Sequence, residues 1–61
     1  MKILIAGGGQ TAVLVAKRLI KEGNELVIIE KNPTRCEYLE EILDAQIVLG
    51  DAASIRTLEE A

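Results

Sequence analysis

An α/β fold built on a parallel sheet is predicted by three observations. The apolar runs at residues 3–6, 26–29 and 47–49 are continuous rather than alternating, as in strands covered on both faces. Stretches with the periodicity of amphipathic helices lie between them. A glycine cluster, Gly7-Gly8-Gly9, joins the first run to the first helical stretch.

Taken in order, Ile3-Leu4-Ile5-Ala6 forms the first strand. Residues 10–22 form the first helix, with Ala12, Val13, Ala16, Leu19 and Ile20 on one stripe and Lys17, Arg18, Lys21 and Glu22 on the opposite face. Leu14 and Val15 fall outside the stripe, which equips this helix for a second contact. Gly23-Asn24 ends it, Gly being the favoured left-handed residue after a helix. Residues 25–30 form the second strand. Asn32-Pro33 then starts the second helix, over residues 33–43, because Asn offers an acceptor to free backbone N–H groups and Pro is tolerated in a first turn. Its inward stripe is Cys36, Leu39 and Leu43, with Ile42 beside it and Glu37, Glu40 and Glu41 in water. Asp44-Ala45 leads into a third strand at residues 46–49, closed by Gly50-Asp51. Ser54 is placed to cap a last helix over residues 55–61, anchored by Leu58.

The resulting order is β-α-β-α-β-α, and right-handed crossovers then set the strands side by side as 3-2-1. The first strand thus lies at an open edge although its sequence suits a strand with neighbours. The final Glu59-Glu60-Ala61 carries no helix stop signal. Residues 1–61 are therefore expected to be the first half of a doubly wound domain, or to have their sheet completed by a partner chain.

Composition excludes several functions. The net charge of -3 and the single aromatic residue, Tyr38, leave neither a basic face for phosphate backbones nor stacking platforms for bases, so no nucleic acid is expected as partner. With no His and one cysteine, Cys36, neither an internal disulfide nor a zinc ligand set is available. No nucleophile and base pair is present either, so no catalytic residue is assigned, and Cys36 reads as a small core residue. No apolar stretch reaches the roughly 20 residues that cross a bilayer, and the N-terminus lacks a signal sequence. A cytoplasmic protein without direct membrane insertion is expected.

The glycine turn carries the functional signal. Gly7-x-Gly9-x-x-Ala12 matches the dinucleotide fingerprint of Rossmann-like domains in its variant with Ala at the third position. Gly7 permits the tight turn, Gly9 lets a pyrophosphate approach the backbone, and Ala12 lets helix and strand pack closely. The helix opening at Gln10-Thr11-Ala12 offers free N–H groups and the positive end of its dipole to the phosphates. Glu30, at the end of the second strand, stands where an acid accepts hydrogen bonds from the ribose. A 2′-phosphate near that carboxylate costs about 4 kcal/mol per charge pair at about 4 Å in a dielectric near 20. NAD(H) or an adenosine ligand is thus preferred to NADP, with Lys31 and Arg35 tempering the repulsion. Asn32 has two roles open to it, helix cap and ribose contact.

These residues also carry a resemblance. Ile3-Leu4-Ile5-Ala6-Gly7-Gly8-Gly9-Gln10, Val27-Ile28-Ile29-Glu30-Lys31-Asn32, and Leu49-Gly50-Asp51-Ala52-Ala53 followed by Leu58-Glu59-Glu60-Ala61 make the chain similar to the N-terminal nucleotide-binding domain of the Trk-type potassium-uptake regulatory proteins, also called the KTN or RCK domain. The resemblance covers essentially the whole chain. It implies a soluble regulatory module that binds NAD(H), or ATP and ADP, and signals to a membrane potassium transporter or channel subunit from the cytoplasmic side of the inner membrane. It implies a homo-oligomer, dimer or ring, whose shape responds to the nucleotide. Carried onto this chain, it sets Gly7, Gly9 and Gln10 at the phosphates, Glu30 and Asn32 at the ribose and Asp51 at the adenine end. Thr11 and Ala12 at the helix start and Lys31 beside the acid complete the candidate cofactor-binding set. Gln10 stands where many triphosphate-binding members carry Arg, which favours a dinucleotide. Two other readings compete: the cofactor-binding half of an NAD-dependent dehydrogenase or flavoprotein, and a remnant of the fold that binds nothing.

Overall fold

In the computed structural model, which describes residues 1–51, three parallel strands and two helices alternate. They are β1 (Lys2–Ala6), α1 (Gln10–Lys21), β2 (Glu25–Glu30), α2 (Pro33–Ile42) and β3 (Gln46–Leu49). The sheet order is β1-β2-β3, so β2 is central, as the sequence predicts. The register sets Ile3 beside Leu26, Ile5 beside Ile28, and Ile28 beside Ile47. The expected last helix, with Ser54 and Leu58, lies outside the described residues.

Both helices pack on one face of the sheet. Val13 and Ala16 of α1, Leu39 of α2 and Leu43 just after it meet Leu26 and Ile28 of β2 in a single buried cluster, flanked by Ile3, Ile5 and Ile47. Ile28 and Leu39 are fully buried. Each large aliphatic side chain taken from water contributes about 1.5–3 kcal/mol, so this cluster is the main source of stability.

The opposite face differs from expectation. Continuous apolar strands were expected to be covered on both sides, yet Leu4 is 55% exposed and Val27 and Val48 are only half-buried. Two right-handed crossovers that run in the same direction across a sheet put both helices on the same side. The second face therefore has no helix among the described residues. Leu14 and Val15, which fall outside the inward stripe of α1, are exposed at 67% and 48%.

Helix ends follow local chemistry. α1 stops at Lys21, one residue earlier than its charge pattern suggests, because Gly23 (φ +91°) donates to the Ile20 carbonyl and Asn24 to that of Leu19. This paired closure is the Schellman arrangement. α2 ends at Ile42, and Leu43 is already extended, but its side chain stays in the core. No helix of the described residues is long and apolar enough to cross a membrane.

Candidate functional site

The carboxyl ends of the three strands are drawn together by backbone hydrogen bonds that continue past the ladder. Gly7 N–H donates to the Ile29 carbonyl at 2.8 Å, and Gly50 N–H donates to the Glu30 carbonyl at 3.0 Å. Between them lies a shallow pocket of about 190 Å³ lined by Gly7, Ile29, Glu30, Lys31, Gly50 and Asp51. Four residues of the predicted set, Gly7, Glu30, Lys31 and Asp51, thus share one pocket. Gly9, Gln10, Thr11 and Ala12 sit at the start of α1 and Asn32 at the start of α2, outside its lining. A larger hollow of about 470 Å³ lies at the other end of the sheet, among Lys2, Gly23, Asn24, Glu25, Asp44 and Gln46. The helix C-terminus and acidic side chains there disfavour an anion, and ligands of open α/β sheets bind beyond the carboxyl ends of the strands.

The three glycines do three different things. Gly7 has φ +90°, a conformation that L residues rarely adopt, and so makes the turn. Gly8 is buried, and a Cβ there would collide with Leu39 Cδ1 and touch Glu30 Oε1 at 3.4 Å. Gly9 is extended (φ -70°, ψ 176°), and a Cβ there would meet nothing within 4 Å. Neither conformation nor packing within the described residues calls for glycine at position 9.

The start of α1 is correspondingly open. Gly9 is its N-cap and supplies no side-chain acceptor, the first turn holds no acidic residue, and Arg18 and Lys21 lie in the last turn. The positive end of this helix is left without an anion from its own side chains.

Glu30 is used differently from the simplest expectation. Its Oε1 accepts the Gly8 N–H at 2.8 Å, and its Oε2 accepts the Asn32 N–H at 2.8 Å. The acid predicted to meet a ribose therefore also ties the glycine turn to the end of β2. A carboxylate has about four lone-pair sites, so capacity for a ribose diol remains. The Asn32 and Gly8 N–H groups hold the Glu30 carboxyl below its ordinary range, with the Arg35 charge adding to them and burial opposing. Asn32 resolves toward its capping role: its Oδ1 accepts the N–H groups of Thr34 at 2.9 Å and Arg35 at 3.2 Å.

Two residues went unassigned in the sequence. Gly8 was a spacer in the fingerprint, but its backbone is gripped on both sides: Glu30 takes its N–H, and Arg35 Nε donates to its carbonyl at 2.6 Å. Arg35, read only as a nearby charge, also lies over the Tyr38 ring at 5.2 Å. These partners are 22 and 27 positions away in the chain, so no local pattern signals them. Cys36 is a core residue as expected. Its Sγ donates to the Glu30 carbonyl at 3.4 Å, and burial pushes the thiol above its ordinary range.

The profile of the TrkA-N domain matches residues 3–61. The chain belongs to the TrkA-N domain family. Its Rossmann-like α/β fold agrees with the parallel β-α-β-α-β order described above. A Trk system potassium uptake protein TrkA homolog of Methanothermobacter thermautotrophicus is 38% identical over 61 residues, which is 100% of this chain and 28% of that protein. The Trk system potassium uptake protein TrkA of Vibrio alginolyticus is 36% identical over the same 61 residues, 13% of its length. That of Mycobacterium tuberculosis is 34% identical over 59 residues, covering 97% of this chain and 26% of the relative. This TrkA-N chain thus spans well under a third of these relatives. No solved structure matches it significantly.

Proposed function

We propose that this TrkA-N chain binds NAD(H), or an adenine nucleotide such as ATP or ADP, as a non-catalytic regulatory part of potassium uptake. The observation that carries the proposal is Gly9, a glycine that neither conformation nor packing among the described residues requires, standing at a helix N-terminus with no side-chain cap, near an ionised Glu30. Phosphates would take the N–H groups at Gly9, Gln10, Thr11 and Ala12, with Gly7 shaping the turn. Ribose hydroxyls would take the remaining lone pairs of Glu30, with Asn32 beside them, and the adenine end would lie by Lys31 and Asp51. Similarity to Trk system potassium uptake proteins supports the physiological half of the reading. The ligand state would pass to a membrane potassium transporter or channel subunit at the cytoplasmic side, by favouring one of two shapes of a homo-oligomeric dimer or ring.

The pocket of about 190 Å³ is smaller than the several hundred Å³ typical of small-molecule sites. With the exposed Leu4 face, this supports residues 1–61 as the N-terminal half of a doubly wound domain whose remaining strands complete the pocket. The test is thermal unfolding of the full-length protein with NADH, NADPH, ATP and ADP. A ligand specific for the native state stabilises it by about 2.7 kcal/mol at a hundredfold excess over Kd. NADH is expected to give the largest upward shift. No shift with any of the four would overturn the proposal, and a shift with NADPH alone would overturn the role of Glu30.

A further inference from the structure

The peptide between Gly8 and Gly9 carries two opposed groups. Its carbonyl oxygen is held by Arg35 Nε at 2.6 Å. No cis peptide occurs among the described residues, so the Gly9 N–H lies in the same plane as that carbonyl and points in the opposite direction, away from Arg35. That N–H has no partner among the described residues, and Gly9 faces open space. We infer that Arg35 is a positioning residue for phosphate recognition: by holding the Gly8 carbonyl, it turns the Gly9 N–H toward the phosphates of a bound nucleotide. This rests on the nucleotide reading above.

A Gly-Gly peptide needs such a hold. Glycine on both sides leaves the peptide plane free to flip at little steric cost, and the flipped form would present a carbonyl oxygen to the anion. Two contacts fix Arg35 for the task. Its own N–H is part of the α2 cap, donating to Asn32 Oδ1 at 3.2 Å, and its guanidinium lies on the Tyr38 ring at 5.2 Å. Glu30 meanwhile holds the preceding peptide through the Gly8 N–H, so the peptides on both sides of Gly8 are oriented from β2 and α2. The Arg35 Nε–H is committed to protein and is not a free contact for a ligand.

The test compares ligands with phosphates, NADH and ATP, and one without, adenosine, titrated into the full-length wild type, R35M, R35K and R35Q by ligand-detected NMR. R35M and R35Q are expected to weaken NADH about tenfold, the equivalent of about 1.4 kcal/mol, while adenosine changes by less than about twofold. R35K keeps a donor for the same carbonyl and should recover most of the NADH affinity. Equal weakening of both ligands, or unchanged NADH affinity in R35M and R35Q, would overturn the role of Arg35 and leave the nucleotide reading standing. A wild type that binds NADH, ATP and adenosine not at all would overturn the nucleotide reading, and this inference with it. Should R35M fail to fold, the comparison of R35Q with R35K makes the same distinction.

Discussion

At the β2–α2 turn, Asn32 accepts two backbone N–H groups of the helix it starts, and Pro33 fills a position with no N–H to satisfy. At the β1–α1 turn the equivalent position is Gly9, which offers the helix no side-chain acceptor. Both turns join a parallel strand to a helix on the same face of the sheet, so topology does not explain the difference. Gly in place of Asn at an N-cap costs about a few tenths of a kcal/mol, and that cost is offset when an external anion takes the free N–H groups. The closed turn serves the fold, and the open one is where the proposed function seats its ligand. They are also tied together: Glu30 and Arg35, from the closed turn, hold Gly8 of the open one.

The comparison is broken most severely at Gly8. A methyl group there meets the fully buried Leu39, and Gly8→Ala is expected to destabilise the protein by about 2–3 kcal/mol through overpacking. Urea unfolding measures this. A cost below about 0.5 kcal/mol, the range of ordinary surface substitutions, would mean that the two turns are not packed against one another.

Transplanting the closed solution to the open turn is the next test. Gly9→Asn places an Asn32-like acceptor at the start of α1, in a backbone conformation that any residue adopts. Stability should rise by only about a few tenths of a kcal/mol, while NADH affinity in the full-length protein falls about tenfold or more as side chain and phosphate compete for the same donors. Retained affinity would remove the phosphate role from the α1 terminus.

The contrast between the turns was partly legible in the sequence. The element order, the sheet order, the α2 cap at Asn32-Pro33 and the inward stripe of Cys36, Leu39 and Leu43 all follow from local patterns, in which neighbours in sequence decide the outcome. The spacing of Gly7, Gly9 and Ala12 and the position of Glu30 mark a candidate nucleotide turn by the same kind of local signal. The clamp on Gly8 was not legible, because it is made of side chains brought from the end of β2 and the first turns of α2 by folding. That no helix among the described residues covers the second face of the sheet was not legible for a related reason. A continuous apolar strand states what it is suited to be covered by, and not whether the residues at hand cover it.

Asn32→Ala changes the closed turn alone. The loss of one capping acceptor is expected to cost about 1 kcal/mol in urea unfolding. Because Asn32 is neutral, this deficit should be independent of pH. Its NADH affinity should stay within about twofold of wild type if capping is its main role, and a larger loss would restore the ribose contact.

The smallest effect separates the two turns by charge. The N–H groups of Asn32 and Gly8 favour the ionised Glu30, so its folded-state pKa lies below the ordinary 4.5. A group depressed in this way binds fewer protons folded than unfolded. Its contribution is complete above 4.5 and is lost as the pH falls through the depressed value. Glu30→Gln keeps the size of the side chain and removes the charge. The stability gap between wild type and E30Q should therefore be widest near neutral pH and close as the pH is stepped down through and below 4.5. The gap for Asn32→Ala should stay level over the same steps. If the E30Q gap were also level, Glu30 would hold the glycine turn by shape and neutral hydrogen bonding, and the charge that a ribose would meet at the end of β2 would play no part in keeping the open turn in place.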